Sequence, residues 1–155
     1  MPPRTLFDIS NIEIDKTVHD LEFIRTINPQ RFEFEQLSSI AFVDKTRAVA
    51  FRDVRHDEFW IKGHIPGRPL MPGVMMIEAA AQLASFFTKT QLHYKGFIGF
   101  GGVEKCKFRM PVEPGARLYV LLELVWERHR RVCCATQGIV AGNVVFEADV
   151  IGSEF

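Results

Sequence analysis

The sequence predicts an α+β domain in which an antiparallel sheet wraps around one long helix. The first observation is Val74 to Thr90, which is apolar on nearly every side and whose polar residues before its last position are Glu78, Gln82, Ser85, Thr88 and Lys89. A helix of that kind belongs in an interior. The second is the last third of the chain. There Leu118, Val120, Leu122, Leu124 and Trp126 alternate with Tyr119, Leu121, Glu123 and Val125, the period-two pattern of strands. The third is the spacing of turn signals, Arg128-His129-Arg130-Arg131 and Ala141-Gly142-Asn143, which cut this region into hairpins. Wrapping the sheet around the helix is the simplest way to bury both.

In chain order, residues 1–19 read as an N-terminal extension and residues 20–155 as one domain. Asp20 to Ile27 places Leu21, Ile24 and Ile27 on one face of a short helix, which must end before Pro29 because the residue preceding proline avoids helical geometry. Ile40–Val43 and Ala48–Val54 are strands joined by the polar run Asp44–Arg47. A loop dense in glycine and proline follows, from Gly63 to Gly73, and each proline fixes its own φ. Pro72-Gly73 opens the long helix, where a missing N–H costs nothing. Phe97–Phe108, Val132–Val140 and Val144–Ile151 complete the strands around Leu118–Trp126, with a turn over Pro111–Ala116.

Composition narrows the function classes. The 155 residues are 47% hydrophobic and 25% charged, with 19 Lys+Arg against 19 Asp+Glu. A neutral total excludes a dedicated nucleic-acid binder, which carries a basic surplus, and leaves self-association unopposed. Fourteen phenylalanines call for a large core or for an apolar surface that something else covers. The apolar run 74–87 is too short to span a bilayer and carries Glu78, so no membrane span is expected. Cys106, Cys133 and Cys134 are odd in number and lack zinc-knuckle spacing. They read as free thiols. Residues 1–8 lack the apolar core of a signal peptide, which makes the cytoplasm the expected compartment.

Two features carry chemistry. On the helix, Glu78, Gln82, Ser85 and Lys89 are spaced four, three and four apart and form one stripe. Such a stripe is ordinarily a solvent face, but its neighbours Ala79, Ala81 and Phe86 favour a partly buried carboxyl suited to donate a proton. Of the five histidines, His19, His56, His64, His93 and His129, His64 stands in the Gly/Pro loop that leads to the helix. A ring fixed in that way suits a general base. The first N–H groups of the helix, those of Gly73 and Val74, have no intrahelical partner and can receive an oxygen gaining negative charge. No serine or cysteine sits at a strand-to-helix elbow, and no metal cluster is apparent. The expectation is proton transfer next to a carbonyl.

The run from His64 through Ile65-Pro66-Gly67-Arg68-Pro69-Leu70-Met71-Pro72-Gly73 to Glu78 and Gln82 closely resembles the signature of the FabZ-type 3-hydroxyacyl-[acyl carrier protein] dehydratases. It includes their fourteen-residue step from His to Glu. Phe108-Arg109-Met110-Pro111-Val112-Glu113-Pro114-Gly115 resembles a further turn of that family, and Asn28–Phe34 resembles its N-terminal Pro-His-Arg-Phe-Pro-Phe segment. The resemblance spans residues 20–152. It departs from the family at Gln30, which stands where the family has histidine, and over Glu35–Ser39, which replaces a Val-Asp-Arg run.

The resemblance implies a hotdog fold and a homodimer, assembled in many members into a trimer of dimers. In such a dimer the histidine of one subunit faces the glutamate of the other. The implied substrate is a (3R)-3-hydroxyacyl thioester on the phosphopantetheine arm of acyl carrier protein, with no other cofactor. In the implied elimination His64 removes a C2 proton, the N–H groups of Gly73 and Val74 hold the thioester oxygen, Glu78 helps the 3-hydroxyl leave as water, and Gln82 orients Glu78. Phe86, Phe97 and Phe100 read either as core or as lining of an acyl tunnel. Glu78 also sets the chain apart from the related dehydratase–isomerases, which carry aspartate there.

Two rival readings share the fold: an acyl-CoA thioesterase, which needs no histidine in a rigid loop, and a non-catalytic acyl or carrier-protein binding module, which has no use for an acid–base pair. An acidic carrier protein would dock on basic residues. The candidates are Lys105, Lys107 and Arg109 along one strand and Arg128, Arg130 and Arg131 at a turn, both of which also read as ordinary solvated charges.

Overall fold

The computed structural model describes residues 3–155. In chain order it contains α1 (Leu21–Ile27), a 3-10 turn (Phe32–Phe34), β1 (Ser39–Val43), β2 (Arg47–Asp53), α2 (Gly73–Gln91), β3 (Ile98–Phe108), β4 (Arg117–Arg128), β5 (Arg131–Val140) and β6 (Asn143–Glu154). The helices and strands expected from the sequence all form, their ends shifted by at most three residues. The 3-10 turn is an addition.

Local chemistry sets the boundaries. The Asp20 carboxylate accepts the N–H of Phe23 at 2.9 Å and caps α1. The helix ends at Asn28, held extended ahead of Pro29. Between β1 and β2 the Asp44 carboxylate accepts the N–H groups of Thr46 and Arg47 at 2.9 and 2.7 Å, a side-chain mimic of a backbone turn.

The six strands form one antiparallel sheet in the order β1-β2-β4-β5-β6-β3. Helix α2, roughly 28 Å long at 1.5 Å per residue, lies on one face. Its Met76, Ala79, Ala80, Leu83, Phe86 and Phe87 are buried in one cluster with Ala48 and Ala50 of β2, Leu118, Val120 and Leu122 of β4, Cys134 of β5, and Phe146 and Val150 of β6. Each large side chain so buried contributes roughly 1.5–3 kcal/mol. A Cβ on Gly138 would fall 2.4 Å from the Phe146 ring, so only glycine lets that ring lie across β5.

The opposite face of the sheet is also apolar. Val49, Phe51, Leu121, Ile139 and Val144 form a second cluster, covered by Leu6, Phe7, Ile9, Ile12 and Ile14. That cover explains why β2 is buried on both sides. Gln137 anchors the segment, accepting the Leu6 N–H at 2.7 Å and donating to the Arg4 carbonyl at 2.9 Å. Asp15 adds bonds to Arg117 and to the Tyr119 hydroxyl.

The two sheet edges differ. Val18 and His19 pair with Ile40 along β1, whereas beyond β3 there is no further strand among the described residues. Phe100, Val103 and Phe108 stand exposed along that second edge. The three cysteines are free, with Cys133 and Cys134 buried. Burial pushes the Cys134 thiol up to about 12, which leaves it unreactive. Among the described residues no helix is long and apolar enough to cross a membrane.

Candidate active site

The loop before α2 is tied down by its own main chain. The His64 N–H donates to the Trp60 carbonyl at 2.8 Å, Leu70 N–H donates to the His64 carbonyl at 2.9 Å, and Ile65 and Arg68 exchange bonds at 3.1 and 2.9 Å. Met71 N–H reaches Val112 at 2.8 Å and fixes the loop to the segment before β4. The His64 ring is exposed, with Nδ1 2.8 Å from the Leu70 carbonyl oxygen. A carbonyl only accepts, so Nδ1 carries the hydrogen and Nε2 keeps the lone pair. The ring is thus set in the tautomer of a base.

His64 opens into a hollow with Leu70, Met71, Gly73, Val74, Met76 and Phe108. Pro72 is the N-cap of α2, and its carbonyl accepts from Met75 at 2.9 Å. The N–H groups of Gly73 and Val74 precede any intrahelical acceptor. The Phe108 ring lies so close to Gly73 that a Cβ there would fall 2.8 Å from it.

Glu78 lies elsewhere, in a pocket of about 200 Å³ between α2, the start of β3 and the end of β6. Gln30, Gln82, Ser85, Phe97, Phe100 and Ile151 share its wall. The Gln82 amide nitrogen donates to Glu78 Oε2 at 2.8 Å and fixes the orientation of the carboxyl. The polar stripe is therefore not a solvent face: Gln82 and Ser85 are buried, and Lys89 donates to the Ile27 carbonyl of α1 at 3.2 Å. Phe97 and Phe100 line the pocket, while Phe86 is fully buried and belongs to the core.

Thus the structure brings His64 together with Gly73 and Val74, and Glu78 with Gln82, but the two hollows have no residue in common. The basic candidates also separate. Lys105, Lys107 and Arg109 line one hollow with Gln137, Glu147 and Asp149. There Arg109 pairs with Glu147 at 2.6 Å and Lys105 lies 4.0 Å from Asp149. Arg130 pairs with Glu154 at 3.3 Å, and the guanidinium groups of Arg128 and Arg131 lie 5.0 and 5.9 Å from the Trp126 ring centre. Lys107 is opposite Glu147 and Arg131 is opposite Ser153. Those partners are six residues apart on β6, roughly 20 Å.

Residues 28–36 contribute contacts that the sequence did not reveal. Gln82 Oε1 accepts the Gln36 N–H at 2.9 Å, its Nε2 also donates to the Phe34 carbonyl at 2.6 Å, and Asn28 donates to the Gln82 carbonyl at 2.9 Å. The only sequence signal was the likeness of Asn28–Phe34 to a family segment. Backbone groups carry no residue code, so nothing pointed to the helix they serve.

Comparison with known proteins fits this geometry. The model of the FabA-like domain matches residues 28–149. A 3-hydroxyacyl-[acyl-carrier-protein] dehydratase FabZ of Desulfotalea psychrophila is 33% identical over 86% of this chain and 92% of its own. One from Clostridium botulinum is 34% identical over 85% of this chain and 93% of its own. Among solved structures, the dehydratase heterocomplex ApeI:P from Xenorhabdus doucetiae superposes with a TM-score of 0.73 at 12% identity, over 85% of this chain and 90% of that one. A virulence protein from Campylobacter jejuni gives 0.67 at 15%, over 91% and 94%. These structural likenesses carry the fold, which is the hotdog arrangement of one central helix and a six-stranded antiparallel sheet. With a family domain over most of its length and relatives above 30% identity, the chain belongs to the FabZ-type 3-hydroxyacyl-[acyl carrier protein] dehydratases.

Proposed function

We propose that the protein eliminates water from a (3R)-3-hydroxyacyl thioester carried on acyl carrier protein, giving the trans-2-enoyl thioester in fatty acid biosynthesis. The observation that carries this reading is the preset pair of proton carriers. His64 presents a bare Nε2 beside the open N–H groups of Gly73 and Val74, and Glu78 presents Oε1 from a carboxyl oriented by Gln82. His64 takes the C2 proton, leaving its electron pair to form the C2–C3 double bond. The thioester oxygen gains enolate character against the two N–H groups. The C3–O bond breaks as Glu78 Oε1 delivers its proton, and water departs. The substrate arrives on the carrier's phosphopantetheine arm, and the proposed reaction needs no resident cofactor. Its setting is the cytoplasm.

The acting unit is a homodimer. His64 and Glu78 open into separate hollows of one chain, while β3 presents an unpaired edge with exposed Phe100, Val103 and Phe108. A second copy along that edge brings one subunit's His64 to the other's Glu78. Lys105, Lys107 and Arg109 form the docking surface for the acidic carrier, since Lys107 has no carboxylate partner among the described residues.

Hydration of a crotonyl thioester tests the chemistry, with loss of turnover expected in both His64→Ala and Glu78→Ala; retained turnover in both rejects it. Mixing the two inactive variants after subunit exchange tests the shared site. Half of the dimers are then hybrids with one intact site each, so about a quarter of wild-type activity returns. No recovery would place both residues in one subunit's site.

A further inference from the structure

We infer that Gln36 and Arg52, neither of which touches the pocket, are positioning residues that set Glu78 through the amide of Gln82. The inference rests on Glu78 being the proton donor. Gln82 is held on three sides. Its Oε1 accepts the N–H of Gln36, and its Nε2 spends one hydrogen on the Phe34 carbonyl and the other on Glu78. An amide clamped between a donor on one side and an acceptor on the other cannot turn over. Its nitrogen must point at the carboxylate.

The clamp is the backbone of residues 34–36, so whatever fixes that segment fixes Glu78. The segment is short, ends a single 3-10 turn and is flanked by the exposed rings of Phe32 and Phe34. Its hold comes from two side chains: Glu35, which accepts from Arg25 Nε and Nη2 at 2.6 and 3.0 Å on the α1 side, and Gln36, which is fully buried and ties the segment to the sheet. Gln36 Nε2 donates to the Glu33 carbonyl at 2.9 Å, and its Oε1 accepts from Arg52 Nε and Nη2 at 3.2 and 3.1 Å. Arg52, on β2, is buried as well. Its other hydrogens go to Glu58 Oε1 and Oε2 at 2.7 and 2.8 Å and to the Asp53 carbonyl at 2.7 Å. Each guanidinium hydrogen has an acceptor. Glu58 accepts the Arg55 N–H besides, at 2.9 Å.

A buried ion pair adds little net stability, because desolvation cancels most of its attraction. It does define one geometry sharply, since any displacement strands a charge. Here the defined geometry runs from the sheet through Gln36 to Gln82 and so to the carboxyl. Gln36 also falls in the segment Glu35–Ser39, where the chain departs from its family's usual run, so the device belongs to this chain's own sequence.

The test is a kinetic double-mutant cycle on the full-length enzyme, with crotonyl-thioester hydration as assay and thermal melting as the check on folding. Gln36→Met removes the acceptor facing Arg52 but keeps the backbone N–H. It should lower kcat about ten-fold with KM unchanged, the usual scale for a group orienting a catalytic ligand. In a Gln82→Met background the same change should cost less than about two-fold, because its path to Glu78 is already cut. If Gln36→Met does not fold, Arg52→Lys keeps the charge beside Glu58, loses the fork on Gln36 and carries the same cycle. Equal losses in both backgrounds, or a rise in KM at constant kcat, would mean a merely structural role and overturn the inference. A Glu78→Gln variant assayed alongside separates the two levels. Its inactivity beside an unaffected Gln36→Met removes the inference alone, while its full activity removes the proton-donor reading as well.

Discussion

In the hollow at the head of α2, His64 is fixed by main chain, through a carbonyl, a proline-rich loop and a helix terminus. In the pocket one turn further along the helix, Glu78 is fixed by side chains, through an amide clamped by residues that a buried ion pair holds in turn. The physical reason for the difference is reach. Histidine is short and rigid, so a loop of fixed shape places it. A glutamate has three rotatable bonds, and only a partner at its tip can hold it. The His64 hollow is therefore written in local sequence, and the Glu78 pocket depends on segments 46 to 54 residues away.

The largest effects should come from the two proton carriers. His64→Ala and Glu78→Gln each remove a group worth about 10²–10⁴ in rate, and steady-state hydration assays should find both losses with melting temperatures close to wild type. If one variant loses far less than the other, the two sites are not equal partners in the reaction.

Next comes the ion pair behind the acid. Arg52→Met strands the Glu58 carboxylate and should destabilise by about 3–5 kcal/mol, whereas Arg52→Met with Glu58→Met should recover most of that loss. Chemical denaturation of the two variants decides this. Equal destabilisation would show that packing, not stranded charge, sets the cost.

A smaller effect is expected at the base site. Gly73→Ala pushes a methyl into the Phe108 ring and should cost about 1–3 kcal/mol through overpacking, read mainly as lost kcat as the helix terminus shifts. Phe108→Leu in the same chain should restore part of it. No recovery would mean that the clash with the Phe108 ring is not what costs the activity.

The smallest effect concerns acid. Burial pushes Glu58 up, but the Arg52 fork and the Arg55 N–H outweigh it and hold its carboxyl below the ordinary carboxylate range. A lowered folded-state pKa adds stability that is present above about pH 4 and is lost as pH falls through the folded value. Melting between pH 6 and pH 3 should show a decline in wild type that is shallower in the doubly methionine-substituted chain. Equal slopes would shift the acid sensitivity to other carboxylates such as Glu35, whose hydrogen bond from Arg25 lowers it likewise.

Much of the fold was legible because its signals are local. The apolar run 74–90 has room for only one kind of helix, the alternation from Leu118 to Trp126 admits only a strand, and Pro29 stops α1 wherever the chain goes. His64, Gly73 and Glu78 were legible for the same reason, lying in one stretch of fifteen residues. The extension was not legible. Leu6, Phe7, Ile9, Ile12 and Ile14 follow no regular period, and only the second apolar face of the sheet shows where they belong. The stripe on α2 was ambiguous for a related reason, since a polar row reads alike whether water or a buried amide network faces it.

The sequence by itself determined the element order and the rigid loop, because short-range sterics and periodicity fix these, while its likeness to a family signature was what put His64 and Glu78 forward as a pair. Tertiary structure alone decided that His64 and Glu78 open into different hollows of one chain and that the β3 edge is left unpaired. It also decided that a chain of hydrogen bonds runs from Arg52 through Gln36 and Gln82 to Glu78. Those facts depend on which backbone groups meet across the sheet and helix, and a backbone N–H or carbonyl carries no letter of its own.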